Sequence, residues 1–223
     1  MNIYLISGLG TDERVFDNYN FKGHPVIPVD YVEPEKNETI DSYAAKLADQ
    51  IDMYQPAILI GTSFGGILAV ALSKRIHFEQ VIIISTVKTG DELPRCARLL
   101  GALKIMRLFP PSLFIRYNRF VEFFFGIEGH EDRAVLKQFL SSSSPEIVKW
   151  GINRILELPS STNSNGVNGD QRSIPKNMIH IHGTEDRFFP IKKIEDCHEI
   201  KGAGHFMIWN NYPEIQTVLD LYL

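Results

Sequence analysis

Gly61-Thr62-Ser63-Phe64-Gly65 sets one hydroxyl between two glycines in the pattern G-x-S-x-G, and Gly66 follows. The apolar run Ala57–Thr62 leads into the motif and Ile67–Leu72 follows it, so Ser63 stands on a turn from strand to helix. A sharp turn of that kind projects the side chain above a sheet in a strained backbone conformation. Bulk at Gly61 or Gly65 would collide with the closely packed strand and helix. The hydroxyl also sits at a helix start, where exposed N–H groups favour developing negative charge. Nucleophilic attack on a carbonyl is the chemistry this arrangement suits; the bland alternative is a turn that only joins a strand to a helix.

A serine hydroxyl is a poor nucleophile until a base takes its proton. Of the seven histidines, His205 is the candidate, because Gly202-Ala203-Gly204-His205-Phe206 is a flexible turn after the last expected strand. That position puts it at the same sheet edge as Ser63. The imidazole in turn needs a carboxylate to fix its tautomer and stabilise its charged form. His182-Gly183-Thr184-Glu185-Asp186-Arg187 follows the preceding strand at that edge. Asp186 is preferred for its shorter side chain further into the turn, Glu185 is the fallback, and Asp91 after the fourth strand is a weaker alternative. Asp186 could also simply cap a helix near Pro190 or pair with Arg187.

Hydrophobic patterning supplies the elements that must position these residues. Asn2–Ser7, Val26–Asp30, Ala57–Thr62 and Val81–Ser85 are continuous apolar runs, as expected of parallel strands covered on both faces. Ile40, Tyr43, Ala44, Leu47 and Ile51 mark one face of a helix that Thr39 or Asp41 would cap. A second helix runs from Phe64 to the basic end Lys74-Arg75. Further on, Asn177–His182 and Cys197–Ile200 add two strands, and Pro190–Glu195 suits a short helix. Asn211–Leu223 closes the chain as a helix, with Pro213 in its first turn and Ile215, Val218, Leu219 and Tyr222 facing inward. The expected class is α/β, with about six mostly parallel strands flanked by helices.

Residues 88–160 have a different texture. They show helical periods, many aromatics and a helix start at Ser144-Pro145-Glu146, and are expected as a helical cap inserted between the fourth and fifth strands. A Ser/Asn/Gly-rich stretch near 160–173 is expected as a flexible loop. The expected division is a core of 1–87 and 174–223 with a cap insertion of 88–173. Residues 88–160 carry 11 Lys/Arg against 8 Asp/Glu, and the remainder 12 against 19. An anionic substrate would suit that asymmetry, and a solvated helix surface explains it equally well.

Composition excludes several function classes. The 223 residues are 44% hydrophobic and 22% charged, enough for a sizeable core without a disulfide or metal staple. The two cysteines, Cys96 and Cys197, and the lack of a signal-peptide pattern at Met1–Gly8 point to a cytoplasmic protein. No apolar run approaches the roughly 18 residues of a membrane span, and a net charge of −4 gives no reason to expect nucleic acid. Neither is expected as a partner, and the oligomeric state is left open. His180-x-His182 puts two imidazoles on one strand face without a third ligand at convincing spacing, so no metal is expected. Gly8-Leu9-Gly10 lacks the third glycine and the acidic residue of a dinucleotide fingerprint.

Over nearly its whole length the chain resembles the α/β-hydrolase fold superfamily, in a compact branch. The N-terminal Ser-Gly-Leu-Gly turn, the G-x-S-x-G elbow, the helical middle, His-Gly-Thr-Glu-Asp and Gly-Ala-Gly-His carry the resemblance, and Ser63, Asp186, His205 follow the family's order. It implies an oxyanion hole of two backbone N–H groups, that of Phe64 after the nucleophile and that of Leu9 in the loop after the first strand. It further implies a serine hydrolase cleaving a small or medium carboxylic ester or thioester through an acyl-enzyme intermediate, without a cofactor. Alternatives on the same frame are carbon–carbon hydrolysis, lyase or cofactor-free peroxidase chemistry, or a non-catalytic ligand receptor. Three features depart from the common pattern: Ser7-Gly8 where His-Gly is frequent, six strands rather than eight, and Thr62 where His is common.

Overall fold

The structure is a computed structural model that describes residues 1–127, 129–160 and 175–223. Six strands, β1 (Asn2–Ile6), β2 (Val26–Pro28), β3 (Ala57–Thr62), β4 (Gln80–Ile84), β5 (Met178–Gly183) and β6 (His198–Ile200), form one parallel sheet in the order β2-β1-β3-β4-β5-β6. The helices are α1 (Ile40–Leu47), α2 (Phe64–Ser73), α3 (Arg95–Ala102), α4 (Arg119–Phe125), α5 (His130–Ser142), α6 (Pro145–Leu156), α7 (Met207–Asn210) and α8 (Tyr212–Leu219). α3 to α6 all lie between β4 and β5, which is where the sequence predicts a helical insertion. The stretch expected as a flexible loop near 160–173 lies, past residue 160, outside the described residues.

Side-chain alternation explains the layering. On β1, Tyr4 and Ile6 join a core with α1 and α2, whereas Ile3 and Leu5 join a second core with Phe206, Met207, α8 and α5. Both faces are therefore covered, and β3 is buried at all six positions. Phe64 to Leu72 on α2 are all buried as well, so this helix is apolar all round rather than striped. Each of its large side chains, Phe64, Ile67, Leu68, Val70 and Leu72, contributes about 1.5–3 kcal/mol on burial. Besides α5, α6 ties the cap to the core: the Trp150 indole meets Tyr43 at 4.3 Å and donates to the Glu38 carbonyl at 3.1 Å.

Element ends differ from the sequence pattern in instructive ways. α1 stops at Leu47 and continues as a 3₁₀ turn, Ala48–Gln50, which still delivers Ile51 to the core. Thr39 is its cap, in a reciprocal box with Ser42. Pro190–Glu195 contains only a single 3₁₀ turn at Ile191–Lys193. The C-terminal helix is shorter than expected and is preceded by α7; Asn211, at φ −122° and ψ 32°, separates the two. Ile215 and Leu219 are buried, but Val218 and Tyr222 only partly so.

Candidate active site

β2 pairs with one side of β1 and β3 with the other, so the connections after β1 and β3 leave the sheet where its winding reverses. A crevice opens at the carboxyl edge of such a point. Ladder pairs Ile6–Gly61, Thr62–Ile84, Ile84–Ile181 and Gly183–Ile200 bring the neighbouring strand ends into line. The loops carrying Leu9, Ser63, Thr86, Asp186 and His205 therefore emerge along one edge.

Ser63 has φ 52° and ψ −121°, a conformation costing a non-glycine residue about 1–3 kcal/mol. It is held from both sides: its N–H donates to the Ile84 carbonyl at 2.8 Å, and its carbonyl accepts from Thr86 Oγ1 at 2.6 Å. The glycines around it permit backbone-to-backbone packing. A Cβ on Gly61 would lie 2.4 Å from the Gly65 carbonyl oxygen, and one on Gly65 would lie 2.3 Å from the carbonyl oxygens of Ile6 and Ser7.

The structure brings Ser63, His205 and Asp186 together. Ser63 Oγ is 2.9 Å from His205 Nε2, and His205 Nδ1 is 2.7 Å from Asp186 Oδ2. The other Asp186 oxygen accepts the N–H groups of Phe188 at 2.8 Å and Phe189 at 2.9 Å. With a carboxylate oxygen as its partner, Nδ1 carries the proton, which leaves Nε2 to accept from the serine hydroxyl. Phe188, Phe189 and Phe125 pack their rings at 4.8, 5.3 and 5.6 Å from the imidazole and bury it. Glu185, the fallback carboxylate, is exposed. Asp91 is 3.7 Å from Arg98 and bonds Ser160.

His182 and His180 stand behind this line. His182 Nε2 donates to the Phe189 carbonyl at 2.8 Å, so its Nδ1 accepts from His180 Nε2 at 3.2 Å. Burial, and then the neighbouring His182, pushes His180 down to about 2; burial also lowers His182. Both rings are thus neutral dipoles that brace the loop holding Asp186. Among the described residues no group of three metal-ligating side chains is present.

The loop after β1 runs against Ser63: a Cβ on Gly8 would sit 3.1 Å from Ser63 Cβ. Thr11 fastens the loop by donating N–H and Oγ1 to the Gly8 carbonyl. Tyr31, which sequence reasoning missed, donates its hydroxyl to the Ser7 carbonyl at 2.7 Å and stacks on Phe64. Burial, then Tyr43, holds that phenol well above its ordinary range, so it remains a donor. Phe64 opens α2, and its N–H is one of the first-turn donors without a carbonyl one turn earlier. A cavity of about 160 Å³ adjoins the same loop, lined in part by Gly8, Leu9, Tyr31, Ser143 and Ile147.

Thr86, Phe188 and Phe189 were also missed. Their position just past β4 and β5 was available as a signal, but their residue types announce no chemistry.

The cap reaches the site through α4. Its last carbonyls accept from the loops that carry His205 and Asp186: Phe125 from the Phe206 N–H at 3.0 Å and Phe123 from the Arg187 guanidinium at 2.6 Å. The helix ends at Gly126, in the left-handed conformation, facing Gly204.

Residues 3–215 match the sequence profile of the alpha/beta hydrolase family. No curated protein sequence matches the chain. Among solved structures, MenH from S. aureus superposes with a TM-score of 0.68 at 18% identity, covering 98% of this chain and 91% of that one. A thermophilic esterase from Thermogutta terrifontis gives 0.67 at 18% identity, covering 100% and 89%. A hydrolase from Pseudomonas aeruginosa PA01 gives 0.70 at 12% identity, covering 98% and 88%.

Proposed function

Because the chain belongs to the alpha/beta hydrolase family, we propose that it is a serine hydrolase cleaving a small or medium carboxylic ester or thioester. Ser63 Oγ attacks the carbonyl carbon while its proton passes to His205 Nε2. Asp186 holds the imidazole in register and stabilises the imidazolium. The carbonyl oxygen gains charge between the N–H groups of Leu9 and Phe64, each such donor being worth about 2.7–4 kcal/mol. Collapse expels the alcohol or thiol, which leaves with the proton from His205. Water then attacks the acyl-serine with His205 again as base and releases the acid.

The observation that carries this reading is the chain of contacts from Ser63 Oγ to His205 at 2.9 Å and on to Asp186 at 2.7 Å. The strained backbone at Ser63 supports it, since strain of that kind persists where surrounding structure over-determines a residue.

Labelling with a fluorophosphonate probe, followed by nitrophenyl esters and acyl thioesters of graded length, tests the reading. Wild type labels and turns over the short members; Ser63→Ala does neither while melting cooperatively. An unlabelled wild type would remove the activated serine, and labelling without turnover of any ester or thioester would remove the substrate class.

A further inference from the structure

Seven large apolar side chains stand exposed between Leu99 and Phe123, against six elsewhere among the described residues. Leu108 is 84% exposed and Phe120 67%, and it is their concentration in one stretch that scattered surface residues do not show. They are interleaved with Arg95, Arg98, Lys104, Arg107, Arg116 and Arg119, and residues 95–127 contain a single acid, Glu122. The chain as a whole carries −4, so the rest of the molecule is strongly acidic. Arg98 and Arg107 meet acids outside the stretch, Asp91 at 3.7 Å and Glu157 at 2.7 Å.

These side chains sit on a fixed frame. Lys149 on α6 donates to the carbonyls of Arg107 at 3.1 Å and Phe109 at 2.6 Å, which pins the segment after α3. Arg95 and Leu99 on α3 and Leu103 directly after it recur every four residues and are all exposed, so one face presents both charge and hydrocarbon outward. From Phe120, ring contacts lead inward: to Phe124 at 4.4 Å, from there to Phe188 at 5.1 Å, and to His205 at 4.8 Å.

We propose that residues 95–123 are an interfacial docking surface that seats the cap on a negatively charged lipid bilayer. Short segments with Leu and Phe beside Arg and Lys bind at the boundary of headgroups and acyl chains, where both kinds of side chain are satisfied. A negative surface attracts this face and repels the acidic body, so the charge division also fixes orientation. Docked this way, the rings from Phe120 to Phe188 form a continuous apolar contact from the hydrocarbon to His205. The expectation of no membrane partner rested on the absence of a span, and run length does not report on a surface of this kind.

Flotation of the full chain with vesicles tests the surface. Wild type binds vesicles of phosphatidylcholine mixed with phosphatidylglycerol and not those of phosphatidylcholine alone, and added salt weakens the binding. Leu99→Ser/Leu108→Ser and Arg95→Glu/Arg116→Glu each lower binding by about tenfold or more with unchanged melting. Ser63→Ala binds as wild type, so loss of hydrolysis and loss of docking are read separately. Wild type that stays unbound to the anionic vesicles overturns the proposal, as does binding that survives in both double variants. Self-association without lipid binding, abolished by Leu99→Ser/Leu108→Ser, also overturns it and gives the face to a second copy of the chain.

Discussion

The sheet edge and the cap meet at His205 and hold it by different means. At the edge, backbone atoms do the positioning: the Ile84 carbonyl and Thr86 fix Ser63, the Phe188 and Phe189 N–H groups fix Asp186, and glycines let strand, turn and helix touch. In the cap, rings do most of it, with Phe125 against His205 and Phe124 against Phe188. Hydrogen bonds have narrow distance and angle limits, whereas apolar packing tolerates adjustment. The edge is built to fix atoms and the cap to fit around them.

If that contrast holds, the largest effect belongs to Asp186→Asn, which keeps the shape and disturbs the tautomer. It should lower kcat on nitrophenyl esters by about 10⁴-fold with little change in Tm; a loss of under tenfold would separate Asp186 from the chemistry. Gly65→Ala comes next. Its methyl group would meet two carbonyl oxygens, and the expected cost is about 3 kcal/mol in urea unfolding. A near-neutral result would mean that the edge is as adaptable as the cap.

The neutral pair behind Asp186 predicts a pH effect of intermediate size. Folding holds His180 down at about 2, while the unfolded chain binds a proton below its ordinary 6.5. Stability is therefore full above about pH 6.5 and falls as the pH drops, by about 1.4 kcal/mol per pH unit for this group. His182, lowered in the same direction, adds to it. Urea midpoints near neutrality and about two pH units lower provide the check, and equal midpoints would contradict it. The smallest effect is expected in the cap: Phe124→Ala should change preference among acyl lengths by only a few-fold and cost about 1 kcal/mol or less, since its neighbours can shift. A loss approaching that of Asp186→Asn would erase the contrast.

The same division governs what could be read from the sequence. Gly61 and Gly65 were legible because only glycine fits where backbones touch, and His205 because its turn leaves the carboxyl end of the last strand. The choice of Asp186 over Glu185 followed from side-chain length, and the structure turns Glu185 outward. Tyr31, Thr86, Phe188 and Phe189 were not legible. They act through one hydroxyl or a main-chain N–H, and only the folded geometry says what these face. α7 was hidden for a related reason: four residues are too few to show a helical period. The six strands could be found from continuous apolar runs, but their ends could not, since hydrophobicity does not mark where pairing stops.

The two hydrogen bonds from the end of α4 also bear on modularity. An inserted domain that touches its host only through side chains can be exchanged or excised, and the host closes over the gap. Here the Phe125 carbonyl is the acceptor for the residue directly after His205, and the Phe123 carbonyl holds the residue directly after Asp186. The insertion supplies a main-chain acceptor to each loop, one for the Phe206 backbone N–H and one for the Arg187 side chain. Cap and core are thus one mechanical unit at this point, and a cap transplanted from a relative would have to bring a helix ending at the same two acceptors.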